Sequence, residues 1–311
     1  MEQTFLGIDW GTSNRRAYHM ARDGRCLAQH DDDQGLLAVA GNFAASLAQL
    51  RATMGIDAAV PVIMSGMVGS NSGWQEVPYL DIAVPLEQLP QHLAAVGGNP
   101  ACLIVPGYCA RNDGVDVMRG EETQLLGAIA LGIRDGWMVL PGTHSKWVYL
   151  RDGVVQQLST YMTGELFAML SKSGTLAPMM ATVHNSATNN AVEHTAAPNN
   201  AADDDLAFAA GMVEARERKP LTHSLFGVRA RVVAKAMEAG AARSFVSGLL
   251  IGTEFVAAQA RDGNVIHLIA SATLSARYAR AAEQFGMQAV VLDPDVVFRA
   301  ALGLFFPKDA G

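Results

Sequence analysis

The sequence predicts an α/β protein of two lobes with a cleft between them. Three observations carry this. A strand–turn–strand–turn–strand–helix pattern occurs twice, near residues 4 and 137. A glycine- and hydroxyl-rich turn follows the first strand of each copy. The 311 residues suggest about two domains.

Thr4 to Ile8 is apolar and β-prone, Arg16 to Ala21 continues as a second strand, and Asp23-Gly24 is a hairpin turn before Cys26 to Gln29. Asn42 to Met54 places Phe43, Leu47, Leu50 and Met54 at helical spacings. Val60 to Met64, Leu103 to Pro106 and Val115 to Met118 read as strands, and the last runs into a helix from Glu121 to Ile133. The pattern restarts with strands at Trp137 to Leu140, Ser145 to Leu150 and Val154 to Tyr161, then a helix from Glu165 to about Ser171. The lobes are therefore expected at 1–134 and 135–311. The polar stretch His184 to Asp205 reads as a surface loop. Helices follow at Phe208 to Arg218, Val228 to Ala239 and Ser244 to Gln259. Val265 to Ala270 and Ala289 to Leu292 read as strands, with helices at Leu274 to Phe285 and Val296 to Phe305.

Half of the residues are hydrophobic and 17% are charged, which supports a sizeable core and argues against long disorder. A net charge of -7 without a Lys/Arg block argues against nucleic-acid binding. Any anion site must be built locally, from backbone N–H groups and a few cations. The three cysteines, Cys26, Cys102 and Cys109, lack metal-type spacing and fit buried thiols in a reducing cytoplasm. No basic leader precedes an apolar stretch, and no uninterrupted apolar run reaches the length of a membrane span.

Four motifs carry chemistry. Gly7 to Asn14, GIDWGTSN, ends the first strand. Gly11 lets backbone approach a ligand, Thr12 and Ser13 can donate to phosphate oxygens, and Asp9 can hold a magnesium ion directly or through water. An ordinary hairpin would use the same residues. Leu140 to Trp147, LPGTHSKW, holds the same place in the second copy, with Gly142, Thr143, His144, Ser145 and Lys146. Neither turn is a GxxxxGK[ST] loop, but two such turns facing one another could clamp a triphosphate. In Asp116 to Gln124, DVMRGEETQ, Arg119, Glu121 and Glu122 meet a helix N-terminus. A carboxylate there could orient an acceptor hydroxyl and take its proton, or both could simply favour the positive end of the helix. Finally, Ser65 to Tyr79, SGMVGSNSGWQEVPY, sets Ser65 and Gly66 near Trp74 and Tyr79, which suits a polyhydroxylated ligand or a long structural loop.

Together, GIDWGTSNRRAY, SGMVGSNSGWQEVPY, VMRGEETQLLGA, LPGTHSKWV, STYMTGELFAML and FVSGLLIGTE resemble the 2-dehydro-3-deoxygalactonokinase family, within the acetate and sugar kinase, Hsp70 and actin superfamily. The resemblance runs from residue 7 to about 254. Where the family would have a Gly-Ser turn on the adenosine side, this chain has Ala270-Ser271-Ala272. The resemblance implies an actin-like ATPase fold of duplicated ribonuclease H-like domains. It also implies ATP- and Mg2+-dependent phosphorylation of the 6-hydroxyl of 2-dehydro-3-deoxy-D-galactonate, in galactonate breakdown. Carried over by position, Asp9, Gly11, Thr12 and Ser13 form the first phosphate loop, and Gly142, Thr143, His144, Ser145 and Lys146 the second. Glu121 is expected as the base, then Glu122. Arg16 and Arg119 are the candidates for the substrate carboxylate, with Ser65, Gly66, Trp74 and Tyr79 around the sugar. The expected partners are the sugar acid and ATP, with neither nucleic acid nor membrane, and homo-oligomer formation stays open. Two other functions compete: the same reaction on another keto-deoxy or aldonic acid, and a nucleotide-switch ATPase indifferent to sugar acids.

Overall fold

The computed structural model describes residues 3–111, 114–181, 201–258 and 265–306. The chain opens with strands β1 (Thr4–Trp10), β2 (Arg15–Ala21) and β3 (Cys26–Asp32), followed by helices α1 (Leu36–Val39) and α2 (Phe43–Met54). Next come β4 (Val62–Gly66), β5 (Leu80–Asp81), β6 (Ala94–Val96), β7 (Asn99–Ile104), β8 (Tyr108–Ala110), β9 (Asp116–Met118) and α3 (Glu121–Ala130). The second run is β10 (Gly136–Leu140), β11 (Ser145–Arg151), β12 (Val154–Tyr161), α4 (Thr163–Lys172) and α5 (Ala177–Met180). It continues through α6 (Ala201–Arg216), α7 (Leu221–Val233), α8 (Ala239–Ala258), β13 (Val265–Ile269), α9 (Ala272–Gln284), β14 (Gln288–Leu292) and α10 (Pro294–Phe305).

The expected repeat is visible in sheet order. The first sheet runs β3-β2-β1-β4-β7-β6 and the second β12-β11-β10-β13-β14. In both, a three-strand meander places its first strand inward, and later strands extend the sheet beyond it. β1 pairs antiparallel with β2 and parallel with β4, so Asp9 lies opposite Arg16 on one side and Ser65 on the other. β1 is central and buried on both faces, through Phe5, Leu6, Ile8 and Trp10, as a strand with neighbours on each side and helices above requires. A small third sheet, β5-β8-β9, leads into α3.

Two compact units result: Met1–Leu140 with Trp147–Ser159 and Leu292–Gly311, and Pro141–Lys146 with Thr160–Val291. The core of the first gathers Leu6, Ile8, Trp10, Val62, Met64 and Ile104 from the sheet against Phe43, Leu47 and Leu50 of α2. Two glycines bring α10 into this unit. A Cβ at Gly7 would stand 2.6 Å from Leu302 Cδ2, and one at Gly127 of α3 would collide with the Val297 carbonyl. The second unit is mainly helical, with α8 at its centre. Gly211 of α6 and Gly248 of α8 each leave no room for a side chain beside the opposite helix's carbonyl, of Phe245 and Phe208 respectively. These glycines let the two backbones touch. Gly240–Ala258 has the length and hydropathy of a membrane span, but 67% of it is buried within the protein, as expected of a core helix.

Several boundaries differ from expectation, two of them most. The stretch expected to be a loop from His184 to Asp205 lies outside the described residues as far as residue 200, but Ala201 already begins α6. Early in this helix Asp205 pairs with Arg280, while Ser244 donates to Asp204 at 3.2 Å. Helix α7 begins at Leu221, seven residues ahead of the expected Val228, and ends at Val233. Pro220 starts it as the N-cap, and Lys235, at φ 58°, turns the chain away beyond its end.

Candidate active site

In the first unit, the turn after β1 is built by backbone. Gly11 N–H donates to Asn14 O at 2.9 Å, while Leu36 and Leu37 N–H reach Gly11 O and Thr12 O at 3.0 and 3.1 Å. Gly35 makes this approach possible, because a Cβ there would stand 2.6 Å from Thr12 O. Thr12 and Ser13 are left exposed at the tip and Gly11 is half-buried. Behind the turn, Arg15 is locked by Asp32 at 2.5 Å and by Ser46 Oγ at 2.8 Å. Asp9 accepts from Arg16 at 2.7 Å. Burial raises the Asp9 carboxyl above its usual range, and the Arg16 charge offsets part of that rise. The other end of Arg16 reaches Asp295 at 3.3 Å, and Tyr18 also donates to Asp295, at 2.7 Å. Arg16 is thus engaged on both sides by carboxylates of its own chain.

The start of α3 collects the other candidates of this unit. Glu121 accepts the Arg119 N–H at 2.9 Å, and Glu122 accepts the Gly120 N–H at 2.7 Å. Both carboxylates satisfy donors at the helix start, and they differ in exposure. Glu122 is wholly buried, whereas Glu121 is half-buried. Burial pushes the Glu122 carboxyl up to about 8, and the neighbouring Glu121 charge adds to the rise. Ser65, also buried, lies 2.6 Å from the Thr123 hydroxyl and ties the end of β4 to α3. Gly66 sits at φ 93°, and a Cβ on it would stand 2.7 Å from Trp10 O, so this crossing requires glycine.

Arg119 has the most unusual surroundings. Its Nη2 donates to Val77 O at 2.7 Å, and its guanidinium stacks on Tyr79 at 4.2 Å from the ring centre. Nε and Nη1 are buried without a partner. Arg119 as a whole is half-buried, but shielded donors left unused on a cation are costly, and an incoming anion would relieve that cost. Trp74 instead stacks on Phe43, with ring centres 6.2 Å apart and 11° between planes, and belongs to the edge of the core.

In the second unit, the turn after β10 repeats this construction. Gly164 at the start of α4 plays the part of Gly35: a Cβ there would collide with the Gly142 carbonyl. Glu165 N–H donates to Thr143 O at 2.9 Å, and its carboxylate lies 2.6 Å from His144 Nε2. Gly142 is half-buried, while Thr143 and His144 are exposed. Ser145 and Lys146 are buried; Lys146 Nζ reaches Thr160 Oγ1 at 3.0 Å. The Ser145 hydroxyl donates to Glu254 at 2.8 Å, and Tyr278 donates to the other Glu254 oxygen at 2.7 Å. Sequence reasoning missed Gly35, Gly164, Glu254 and Tyr278. A lone carboxylate in the apolar run of FVSGLLIGTE was the signal for Glu254; nothing local marks Tyr278.

The paired meanders, each with a glycine- and hydroxyl-rich turn after its first strand, have the sugar kinase, Hsp70 and actin fold. A chain 33% identical over 307 residues, 97% of each protein, is the 2-dehydro-3-deoxygalactonokinase of Escherichia coli K12. The crystal structure of a Sinorhizobium meliloti protein given the same name provisionally superposes with a TM-score of 0.83 at 33% identity, covering 97% of this chain and 95% of that one. At 9% identity and a TM-score of 0.50, the fold is shared with the activator of 2-hydroxyisocaproyl-CoA dehydratase from Clostridium difficile, covering 97% and 93% of the two chains. The sequence model of the 2-keto-3-deoxy-galactonokinase family matches residues 9–305, and the chain belongs to that family.

Proposed function

We propose that the chain transfers the γ-phosphoryl group of ATP to the 6-hydroxyl of 2-dehydro-3-deoxy-D-galactonate, giving the 6-phosphate. The observation that carries the acid specificity is the half-buried Arg119, whose shielded Nε and Nη1 have no partner, two residues from the half-buried Glu121 carboxylate. Arg119 takes the substrate carboxylate, for which Tyr79 must move aside from the cation it covers. Glu121 orients the acceptor hydroxyl and accepts its proton as the new O–P bond forms and the bond to the β-phosphate bridging oxygen breaks. Glu122 has no surface to offer a substrate and holds the start of α3. Ser65 and Gly66 shape the floor beside it.

Each exposed tip, Gly11 to Ser13 in the first unit and Gly142 to His144 in the second, offers backbone and hydroxyl donors suited to the phosphate oxygens of ATP. Ser145 and Lys146 anchor the second turn from beneath. A magnesium ion fits this arrangement. Among the described residues no group of three or more His, Cys, Asp or Glu could hold a metal alone. A kinase magnesium is commonly held by one or two carboxylates together with phosphate oxygens, and Asp9 supplies one carboxylate. When bound, the ion would neutralise charge on the phosphates. Arg16 holds the Asp9 carboxylate in place. The free cysteines among the described residues, two of them buried, support a cytoplasmic setting.

The experiment is an ADP-release assay on a panel of 2-dehydro-3-deoxy acids, aldonic acids and neutral sugars. ADP release that depends on the galactonate-derived acid, with product phosphorylated at position 6, is the expected outcome. Equal release with and without every sugar acid would replace this reading with a nucleotide-switch ATPase.

A further inference from the structure

We infer that Glu254 and Tyr278 are positioning residues for nucleotide binding, acting through Ser145 on the turn formed by Gly142, Thr143 and His144. The inference rests on reading that turn as a phosphate turn.

Three buried polar groups from three elements converge here. Ser145 opens β11 directly after the turn and is wholly buried. Glu254, near the end of α8, is 1% exposed, and Tyr278 of α9 is 2% exposed. One Glu254 oxygen accepts from Ser145 at 2.8 Å and the other from Tyr278 at 2.7 Å, while the two hydroxyl oxygens lie 3.2 Å apart. The three groups form a ring of contacts in which the Glu254 carboxylate bridges the two hydroxyls. The Ser145 hydroxyl is consumed in it and is not available to a phosphate oxygen.

For stability alone this is an expensive arrangement. A buried carboxylate is costly unless its oxygens are well satisfied, and apolar side chains of similar volume often stabilise a core as well or better. The polar ring adds direction, because Glu254 fixes Ser145 along one hydrogen bond and Tyr278 fixes Glu254 in turn. Gly164 and the Glu165 N–H hold the turn from α4. Ser145 holds its C-terminal end from α8 and α9, and the exposed Thr143 and His144 lie between these two anchors. A phosphate site made of backbone and short side chains tolerates little displacement, since hydrogen bonds weaken steeply as geometry departs from ideal.

The test uses the full chain and three variants: Tyr278→Phe, Glu254→Gln and Ser145→Ala. The affinity for a non-hydrolysable ATP analogue is measured by calorimetry, alongside kcat, the two KM values and the melting temperature. Tyr278→Phe and Glu254→Gln are expected to weaken nucleotide binding about tenfold and to raise KM for ATP in parallel, with KM for the sugar acid changed less than about twofold. Adding Ser145→Ala to Glu254→Gln should cost little more, because both act through one ring. A lower melting temperature with nucleotide affinity within twofold of the parent would overturn the inference and leave a purely structural ring. Should Glu254→Gln not fold, Tyr278→Phe, which removes one hydroxyl, decides the question. Nucleotide binding by the parent without sugar-acid phosphorylation would sink the proposed substrate and leave this inference standing. A parent that binds no nucleotide would sink both.

Discussion

Arg16 Nη2 stands 2.7 Å from Asp9 Oδ2, so the carboxylate at the end of β1 is charge-paired before any ligand arrives. The Tyr18 and Arg16 contacts to Asp295 extend this chain to the first turn of α10. Arg16 offsets part of the cost of burying this carboxylate and fixes its direction, as a magnesium–phosphate site needs. Asp9→Asn keeps the size and removes the charge. It is expected to lower kcat by about two orders of magnitude, within the range of single electrostatic contributions to catalysis. Steady-state kinetics at saturating magnesium checks this, and unchanged kcat would remove Asp9 from the mechanism.

Gly164→Ala tests the second turn from the α4 side. The added Cβ would collide with the Gly142 carbonyl and stand 3.0 Å from the Thr143 Cα, so backbone must move. The expected result is a loss of about 1–3 kcal/mol in stability and a rise in KM for ATP. Gly227→Ala in α7 is the control, since nothing lies within 4 Å of its Cβ position. It should stabilise by up to about 1 kcal/mol through helix propensity alone, with kinetics unchanged. Equal kinetics in the two variants would show that the close approach at Gly164 does not shape the turn.

Arg119 separates substrate recognition from chemistry. Arg119→Lys keeps a charge but loses the planar stack on Tyr79 and the fork of donors. KM for the sugar acid should rise at least tenfold with a smaller change in kcat, and discrimination against neutral sugars should weaken. Parallel assays with the acid and a neutral sugar of equal length check this. An unchanged ratio of kcat/KM values would return the carboxylate role to another cation.

Much of this site is legible in the sequence because its parts are local. DWGTS and PGTHS follow strands whose apolar runs declare them, and RGEET joins a strand to a helix without a gap. What is not legible depends on distant packing. Ser145 and Lys146 look like phosphate donors in sequence, yet burial turns the first towards Glu254, 109 residues away, and the second towards Thr160. Trp74 looks like a sugar platform, and its ring stacks on Phe43. Arg16 and Arg119 are equivalent as sequence cations. Carboxylates of β1 and α10 engage one, and the other keeps two buried donors unused. The early start of α7 was marked only by Pro220, in a stretch too polar at Thr222 to Ser224 to show its apolar face.

Glu122 should give stability an unusual pH dependence. Its carboxyl is pushed up to about 8 in the folded protein, against 4.5 for an unperturbed glutamate. Between those values the folded state holds a proton that the unfolded state has released. Stability therefore falls as pH rises through this window, with a slope of at most about 1.4 kcal/mol per pH unit from this group. Below the window both states are protonated and the contribution is constant. Glu122→Gln mimics the neutral form and should remove the slope. Unfolding free energies at pH 5, 6, 7 and 8 for parent and variant check it, and parallel curves would place an ionised Glu122 in the folded protein.

The identity of the base turns on exposure. Both carboxylates at the start of α3 accept a backbone N–H, so hydrogen bonding does not distinguish them. Proton transfer requires contact with the acceptor hydroxyl, or one water between. Glu121 is half-buried and can make that contact, while Glu122 has no exposed surface. The elevated Glu122 pKa is attractive for a base working near neutral pH, but a proton acceptor that no substrate can touch has no direct role in transfer. Glu121→Gln should therefore lower kcat by about 10²–10⁴-fold with little change in KM, since the hydroxyl binds almost as well to an amide. Glu122→Gln keeps a neutral group in a neutral-favouring pocket and should retain most of kcat. Inversion of these two results would make Glu122 the base and would require α3 to open on binding. Near-normal kcat in both variants would leave the two carboxylates as partners of the helix dipole, with the proton passing to water or to the phosphate itself.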